Sequence, residues 1–348
     1  MDTRRLGRSD IRVSSLCLGS MTWGEQNSEA EGHAQLSRAF ERGVNFIDTA
    51  EMYAVPTRAE TQGETERIIG TWIAGGAVPR DRIVLATKVT GRSDRFTWIR
   101  GSAPTRLDRA SILAACEGSL KRLRTDYIDL YQLHWPDRPV NKFGQLDYEH
   151  STDDSVPLEE SLAALGELVD AGKIRLAGIS NETAWGAMEC LRLSEMLGLP
   201  RIDSIQNPYN LLNRTFEISL SEVALREDVG LLAYRALASG TLSGKYLDGA
   251  RPQGTRMALF PDYFPRYLRP RAQAATARYV ALARRHGLDP AQMALAFAAG
   301  RPFVTSVIIG ATSLAQLDSN IDAAGLALSD NVLDDIAALH RDDHNPCP

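Results

Sequence analysis

Four side chains of this 348-residue sequence have the types needed to deliver a proton to an oxygen. Asp48 ends the run Val44-Asn-Phe-Ile-Asp, Tyr53 follows it in the next loop, Lys88 ends Ile83-Val-Leu-Ala-Thr-Lys, and His134 ends Ile128-Asp-Leu-Tyr-Gln-Leu-His. A tyrosine hydroxyl, with an ordinary pKa of about 10, becomes a usable donor when a neighbouring lysine cation favours its phenolate. An aspartate holds that lysine charged and in place, and a histidine can hydrogen-bond a carbonyl oxygen or share the proton. Taken singly, each residue also has a plainer role as a turn or cap residue, a packing ring, a snorkelling amine or a structural imidazole. The chemistry therefore depends on a fold that brings the four together.

The rest of the chain predicts such a fold. One unit repeats: a short apolar strand ending in Gly, Asp, Lys, His, Ser or Gln, a polar loop, and then an amphipathic stretch of roughly ten to sixteen residues. Strands are predicted at 15–19, 45–48, 83–88, 127–134, 174–180, 204–206, 230–234 and 306–310. Alternation of this kind implies a parallel α/β sheet, and eight units fit a closed (β/α)8 TIM barrel better than an open one. The sequence holds no Gly-x-Gly, so the dinucleotide turn of a doubly wound sheet is missing. Gly240-Thr-Leu-Ser-Gly-Lys-Tyr is not a P-loop, because Tyr246 stands where a hydroxyl should bind magnesium. Residues 1–14 read as a hairpin around Gly7-Arg8-Ser9-Asp10, 15–325 as the barrel, and 326–348 as a C-terminal helix and tail, all in one domain spanning 1–348. The polar, proline-bearing end, 342–348, is expected to lie loose.

In a barrel, successive strands deliver their last residues to one mouth, so Asp48, Tyr53, Lys88 and His134 should converge. The resulting site protonates an oxygen while something else supplies hydride to carbon. With no other redox centre visible, that source must be a bound nicotinamide. Ser180, Asn181 and Gln206 end the fifth and sixth strands with groups able to read a carboxamide, and Tyr234 at the seventh offers a flat face for a ring. After the eighth strand, Gly310-Ala-Thr312-Ser opens a helix whose free N–H groups suit a phosphate, unless Thr312 or Ser313 is simply its cap. Lys245 and Arg256 could add charge toward a pyrophosphate or a 2′-phosphate. Two long loops, 90–108 and 136–156, carry Phe96, Trp98, Phe143 and Tyr148, which fit a pocket wall or a self-packed loop equally. Trp23, Met52, Trp98 and Trp135 are expected to wall the substrate pocket and favour compact apolar or aromatic carbonyls.

Composition narrows the partners. Thirty-nine basic against 44 acidic residues give a net charge of −5, which leaves no basic excess for nucleic acid or an anionic membrane. Cys17, Cys116, Cys190 and Cys347 form no CxxC pair, the pattern of buried, reduced thiols and not of disulfides or a metal site. The N-terminus has no apolar stretch after its charges, and no run of eighteen apolar residues occurs, so a cytoplasmic location is expected.

Several ordered motifs resemble the aldo-keto reductase superfamily, most closely its bacterial Tas-type members, which are similar to potassium-channel β subunits. They include Leu18-Gly-Ser-Met-Thr-Trp-Gly, Phe46-Ile-Asp-Thr-Ala-Glu-Met-Tyr, Asp129-Leu-Tyr-Gln-Leu-His-Trp-Pro, Gly178-Ile-Ser-Asn, Gln206-Asn-Pro-Tyr-Asn and Ser239-Gly-Thr-Leu-Ser-Gly-Lys-Tyr. The resemblance implies a barrel closed at its base by the N-terminal hairpin, binding NADP(H) and reducing aldehydes or ketones. It puts the catalytic tetrad on Asp48, Tyr53, Lys88 and His134, with Tyr53 as general acid. It puts nicotinamide contacts on Ser180, Asn181, Gln206 and Tyr234. Phosphate and adenosine contacts fall on Leu237, Ser239, Gly240, Lys245, Arg256, Gly310, Thr312, Gln316 and Asn320. The chain departs from the family pattern at Arg235-Ala236-Leu237, where Ser-Pro-Leu is usual, and at Ser319, where an acidic residue is common. A cofactor-sensing protein with slow turnover is the alternative reading. A Schiff-base aldolase built on Lys88 is disfavoured, because Asp48 would keep the amine protonated.

Overall fold

The computed structural model describes residues 1–151 and 154–348; Thr152 and Asp153, in the second long loop, lie outside the described residues. An antiparallel hairpin, β1 (Thr3–Arg5) and β2 (Arg12–Ser14), precedes eight parallel strands. These are β3 (Leu16–Gly19), β4 (Phe46–Asp48), β5 (Val84–Val89), β6 (Ile128–Leu133), β7 (Ile174–Ser180), β8 (Ile202–Pro208), β9 (Gly230–Tyr234) and β10 (Val304–Ile309). They close into a barrel in the order β10-β3-β4-β5-β6-β7-β8-β9. Strands covered on both faces read as continuous runs, and β5 and β6 are buried at every position.

The helices are α1 (Glu29–Glu41), α2 (Glu64–Ala74), α3 (Arg109–Leu123), α4 (Leu158–Asp170), α5 (Ala184–Leu197), α6 (Leu220–Arg226), α7 (Arg256–Leu259), α8 (Pro270–Arg285), α9 (Pro290–Ala299), α10 (Leu314–Asp322) and α11 (Asp330–Asp342). Their starts are written in the sequence: Ser28 and Glu31 form a capping box on α1, Asp108 caps α3, Thr183 caps α5, and Asp289 caps α9 ahead of Pro290. The main apolar core lies between the strands and this helical layer. Among the described residues, no helix is long and apolar enough to cross a membrane.

A second apolar cluster fills the lower barrel. Leu6, Ile11 and Val13 of the hairpin pack on Cys17, Phe46, Val84, Ala86, Leu130 and Leu232 from inside the barrel. The hairpin closes the base because that is where its apolar side chains leave water. It also covers Asp203, which the sequence reading left outside the sixth barrel strand. Burial pushes that carboxyl up to about 6.

The C-terminal tail corrects an expectation. Pro346 and Cys347 are buried. Asn345 Oδ1 accepts the Arg214 N–H at 2.6 Å, and the Cys347 N–H donates to the Leu212 carbonyl at 3.0 Å. The loop after β8 thus satisfies backbone groups that polarity alone had assigned to solvent.

Candidate active site

Strand register assembles the site before any side chain is considered. Asp48 pairs with Ala86, Lys88 with Gln132, Gln132 with Gly178, and Ser180 with Gln206. The polar ends of five adjacent strands therefore occupy neighbouring layers at the carboxyl mouth. Gly178 makes room for them: a Cβ there would lie 2.8 Å from Ser204 Oγ and 3.0 Å from Gln132 Cγ.

Lys88 is completely buried, and its Nζ donates to Asp48 Oδ2 and to the Thr49 carbonyl, both at 2.7 Å. Asp48 Oδ1 accepts Gln206 Nε2 at 2.8 Å. Burial alone would lower the lysine pKa, but Asp48 and the neighbouring Tyr53 outweigh it and leave the amine above its ordinary value. The ammonium lies 5.1 Å from the centre of the Tyr53 ring. Burial raises the Tyr53 hydroxyl above its usual range while the lysine charge opposes that rise, so the phenol is protonated at neutral pH. His134 stands edge-on to Tyr53 with ring centres 5.6 Å apart. Burial, and then Lys88, hold it well below the ordinary histidine pKa, so it is neutral. Its Nδ1 is buried without a partner.

The second polar group continues from the first. Asn181 Nδ2 donates to the His134 carbonyl at 2.9 Å, and Asn181 Oδ1 accepts the Tyr234 hydroxyl at 2.5 Å. Ser180 Oγ donates to the Gln206 carbonyl at 2.8 Å. One cavity of about 1290 Å³ runs from Asp48, Tyr53 and His134 past these residues to all nine predicted phosphate and adenosine positions. Lys88 sits behind its wall.

The phosphate end is shaped for an anion. Ser239 Oγ and Thr241 Oγ1 are buried and unpartnered. A Cβ on Gly240, whose φ is +90°, would press to 3.2 Å from Lys245 Nζ. A Cβ on Gly310 would meet nothing within 4 Å, which leaves the end of β10 open to the cavity. Ser313, not Thr312, caps α10, its hydroxyl accepting the Gln316 N–H, while Thr312 bonds Gln316 Oε1 at 3.1 Å. Lys245 and Arg256 have no carboxylate partner among the described residues. Burial and the like charge of Arg235 bring Arg256 down to about 10. These donors fit a dinucleotide phosphate.

The predicted substrate wall divides. Met52 and Trp135 line the cavity together with Phe96 and Phe143. Trp135 stands 6.4 Å from Phe96 and 5.7 Å from Phe143 between ring centres. Trp23 does not face the cavity: it is buried beside α1, donating Nε1–H to Gln35 at 3.2 Å. Trp98 is 39% exposed outside the cavity lining and touches it only through Phe96. Tyr148 lies out on the second loop, away from this wall. Trp23 was expected there from its place just after a strand end and Trp98 from its place in a long loop, and neither fixes the direction of a side chain.

Sequence reasoning passed over Gln132, whose Nε2 lies 3.5 Å from Asp48 Oδ1 and whose Oε1 accepts Gln206 Nε2 at 3.3 Å. Its signal was a polar residue two before His134, hence on the same face of an otherwise apolar strand. Glu51 was also missed. Buried between Asp48 and Tyr53, it accepts the Thr90 N–H at 2.7 Å and both terminal nitrogens of Arg100 at 2.7 and 3.0 Å. That ion pair ties the first long loop to the catalytic strand ends.

A closed parallel barrel, with a lysine–aspartate pair behind a tyrosine and a histidine at its carboxyl mouth, defines a barrel-type oxidoreductase. The chain belongs to the aldo/keto reductase family, whose model matches residues 15–341; the family's enzymes act on small carbonyl compounds with a nicotinamide cofactor. Protein tas of Escherichia coli (strain K12) is 52% identical over 352 residues, covering 100% of both chains. The uncharacterized oxidoreductase YrpG of Bacillus subtilis (strain 168) is 32% identical over 96% of this chain and 94% of its own. A probable voltage-gated potassium channel subunit beta of Oryza sativa subsp. japonica is 32% identical over 97% of this chain and 96% of its own.

Proposed function

We propose that this chain is a cytoplasmic, single-domain reductase that uses NADPH to convert aldehydes or ketones to alcohols, with Tyr53 as proton donor. The observation that carries the reading is the buried Asp48–Lys88 pair set 5.1 Å behind the Tyr53 ring. A bound nicotinamide supplies the hydride. Ser180, Asn181 and Gln206 would hold its carboxamide, Tyr234 would back its ring, and Lys245 and Arg256 would meet its phosphates and favour NADPH over NADH.

The protein's own residues handle the oxygen. Neutral His134 donates a hydrogen bond to the carbonyl oxygen and orients the carbon. As charge develops on that oxygen, the Tyr53 O–H bond breaks and its proton forms the alcohol. The phenolate left on Tyr53 is stabilised by the Lys88 cation, which Asp48 keeps charged. The apolar wall of Met52, Phe96 and Trp135 keeps water from the reacting atoms and strengthens each of these interactions.

The test is loss of NADPH absorbance with a panel of aldehydes and ketones, run beside NADH and beside Tyr53→Phe. Tyr53→Phe is expected to lower kcat by about 10²–10⁴-fold, the usual worth of a general acid, and to leave NADPH affinity intact. Equal turnover by the variant would remove Tyr53 from the mechanism. Tight NADPH binding without turnover of any carbonyl would favour the sensor reading.

A further inference from the structure

The cavity holds more positive charge than a dinucleotide requires, and the surplus lies at its substrate end. Arg235 and Arg266 line it without an Asp or Glu partner among the described residues. Lys245, proposed above to meet the phosphates, stays with the Gly240 turn. Arg266 belongs elsewhere. A Cβ on Gly144, in the long loop whose Phe143 packs on Trp135, would lie 2.9 Å from Arg266 Nη1. The same nitrogen donates to the backbone oxygen of Pro348 at 3.3 Å. Arg266 is thereby gripped between a substrate-side loop and the tail. Its Nη2 is buried with no partner.

Arg235 stands next to this arginine's segment. Its guanidinium lies 5.7 Å from the Tyr234 ring centre and 5.0 Å from that of Phe264. Arg235 carries a side chain at φ +57°, a left-handed conformation that most residues avoid. The strained backbone and stacked side chain hold a cation beside the ring expected to back the nicotinamide. A buried guanidinium nitrogen with no acceptor is costly unless a ligand supplies one.

On the reading proposed above, we infer that the carbonyl substrate bears a carboxylate. The geometry assigns Arg266, with Arg235 beside it, to that group, while Met52, Phe96 and Trp135 cover the apolar body between carboxylate and carbonyl. The selected class is thus an apolar or aromatic aldehyde or ketone acid, a narrower one than the wall alone would choose.

The test compares 4-formylbenzoate with its methyl ester, two aldehydes of similar shape and different charge. The wild-type enzyme with NADPH is expected to favour the acid in kcat/KM by at least about tenfold, the worth of one charge-assisted hydrogen bond. Arg266→Met should bring the ratio near one, Arg266→Lys should restore part of it, and NADPH affinity should stay within about twofold, because the arginine contacts substrate and not cofactor. A wild-type ratio near one overturns the inference. So does a ratio unchanged in Arg266→Met, or a loss of NADPH affinity with the ratio intact, which would give the arginine to the cofactor. If neither aldehyde is turned over, the reductase reading is decided by the full carbonyl panel, and the anion site is judged by titrating both compounds into the NADPH-loaded protein and following tryptophan fluorescence. Preference for the acid, lost in Arg266→Met, supports the site; equal affinity removes it.

Discussion

Replacing Asp48 by Asn isolates what the buried pair does. Lys88 has no exposed surface, and in the variant its remaining charged partner is gone while the Thr49 carbonyl persists. Breaking a buried pair by removing one member costs about 3–5 kcal/mol, several times an exposed pair. The protein can escape by releasing the lysine proton. From an ordinary value of 10.5, that release at pH 7 costs about 4.8 kcal/mol, and at pH 9 only about 2 kcal/mol. The loss is therefore capped near 4.8 kcal/mol and should shrink as pH rises. The sign follows from proton counts. In the wild type the folded lysine pKa is raised, so its contribution is fully present below 10.5 and does not change between pH 7 and 9. In Asp48→Asn the folded pKa is depressed, the unfolded chain binds more protons, and stability rises with pH. Urea unfolding followed by circular dichroism at pH 7 and 9 measures both deficits. The double variant Asp48→Asn/Lys88→Met, which leaves no buried charge, should recover about 2 kcal/mol or more. A deficit below about 1 kcal/mol at pH 7, or one that stays the same at pH 9, would refute the claim that Asp48 is what keeps Lys88 charged.

Two further perturbations test the scaffold. Leu6→Ala empties a fully buried position in the barrel base and is expected to cost about 2–5 kcal/mol in urea unfolding, whereas a hairpin that merely rests on the barrel would lose less than about 1 kcal/mol. Glu51→Gln removes the charge that receives Arg100 and should weaken a contact worth roughly 1.5–3 kcal/mol that holds the loop bearing Phe96. Its expected signature is a raised carbonyl KM with unchanged NADPH affinity; a fall in kcat alone would place Glu51 in the chemistry and not in loop positioning.

Much of the barrel was legible because both of its signals are local. Each parallel strand is a short apolar run, and several helices carry a capping residue at their start, as Ser28 with Glu31 or Asp289 with Pro290 show. What escaped were features decided by distant contacts. Asp203 fell outside the predicted strand because its cover, the hairpin turn at Gly7, lies almost two hundred residues away in sequence. The tail looked free because its acceptors and donors, Leu212 and Arg214, belong to another loop.

The same distinction separates the two halves of the site. Asp48, Lys88 and His134 end strands, and a strand end in a closed barrel has only one place to point, so residue type and position together predicted their meeting. Trp23 and Trp98 sit in loops, where apolar character predicts burial or contact but not direction, and the Gln35 amide in one case and the short turn Thr97–Arg100 in the other decided where each indole went. Arg235 is an intermediate case. It ends no motif, yet it replaces a small residue at a position fixed by the stacking tyrosine before it, so the sequence flagged the departure without its meaning. Only the structure shows what surrounds it: Phe264 beside Arg235, and Gly144 and Pro348 beside the neighbouring Arg266.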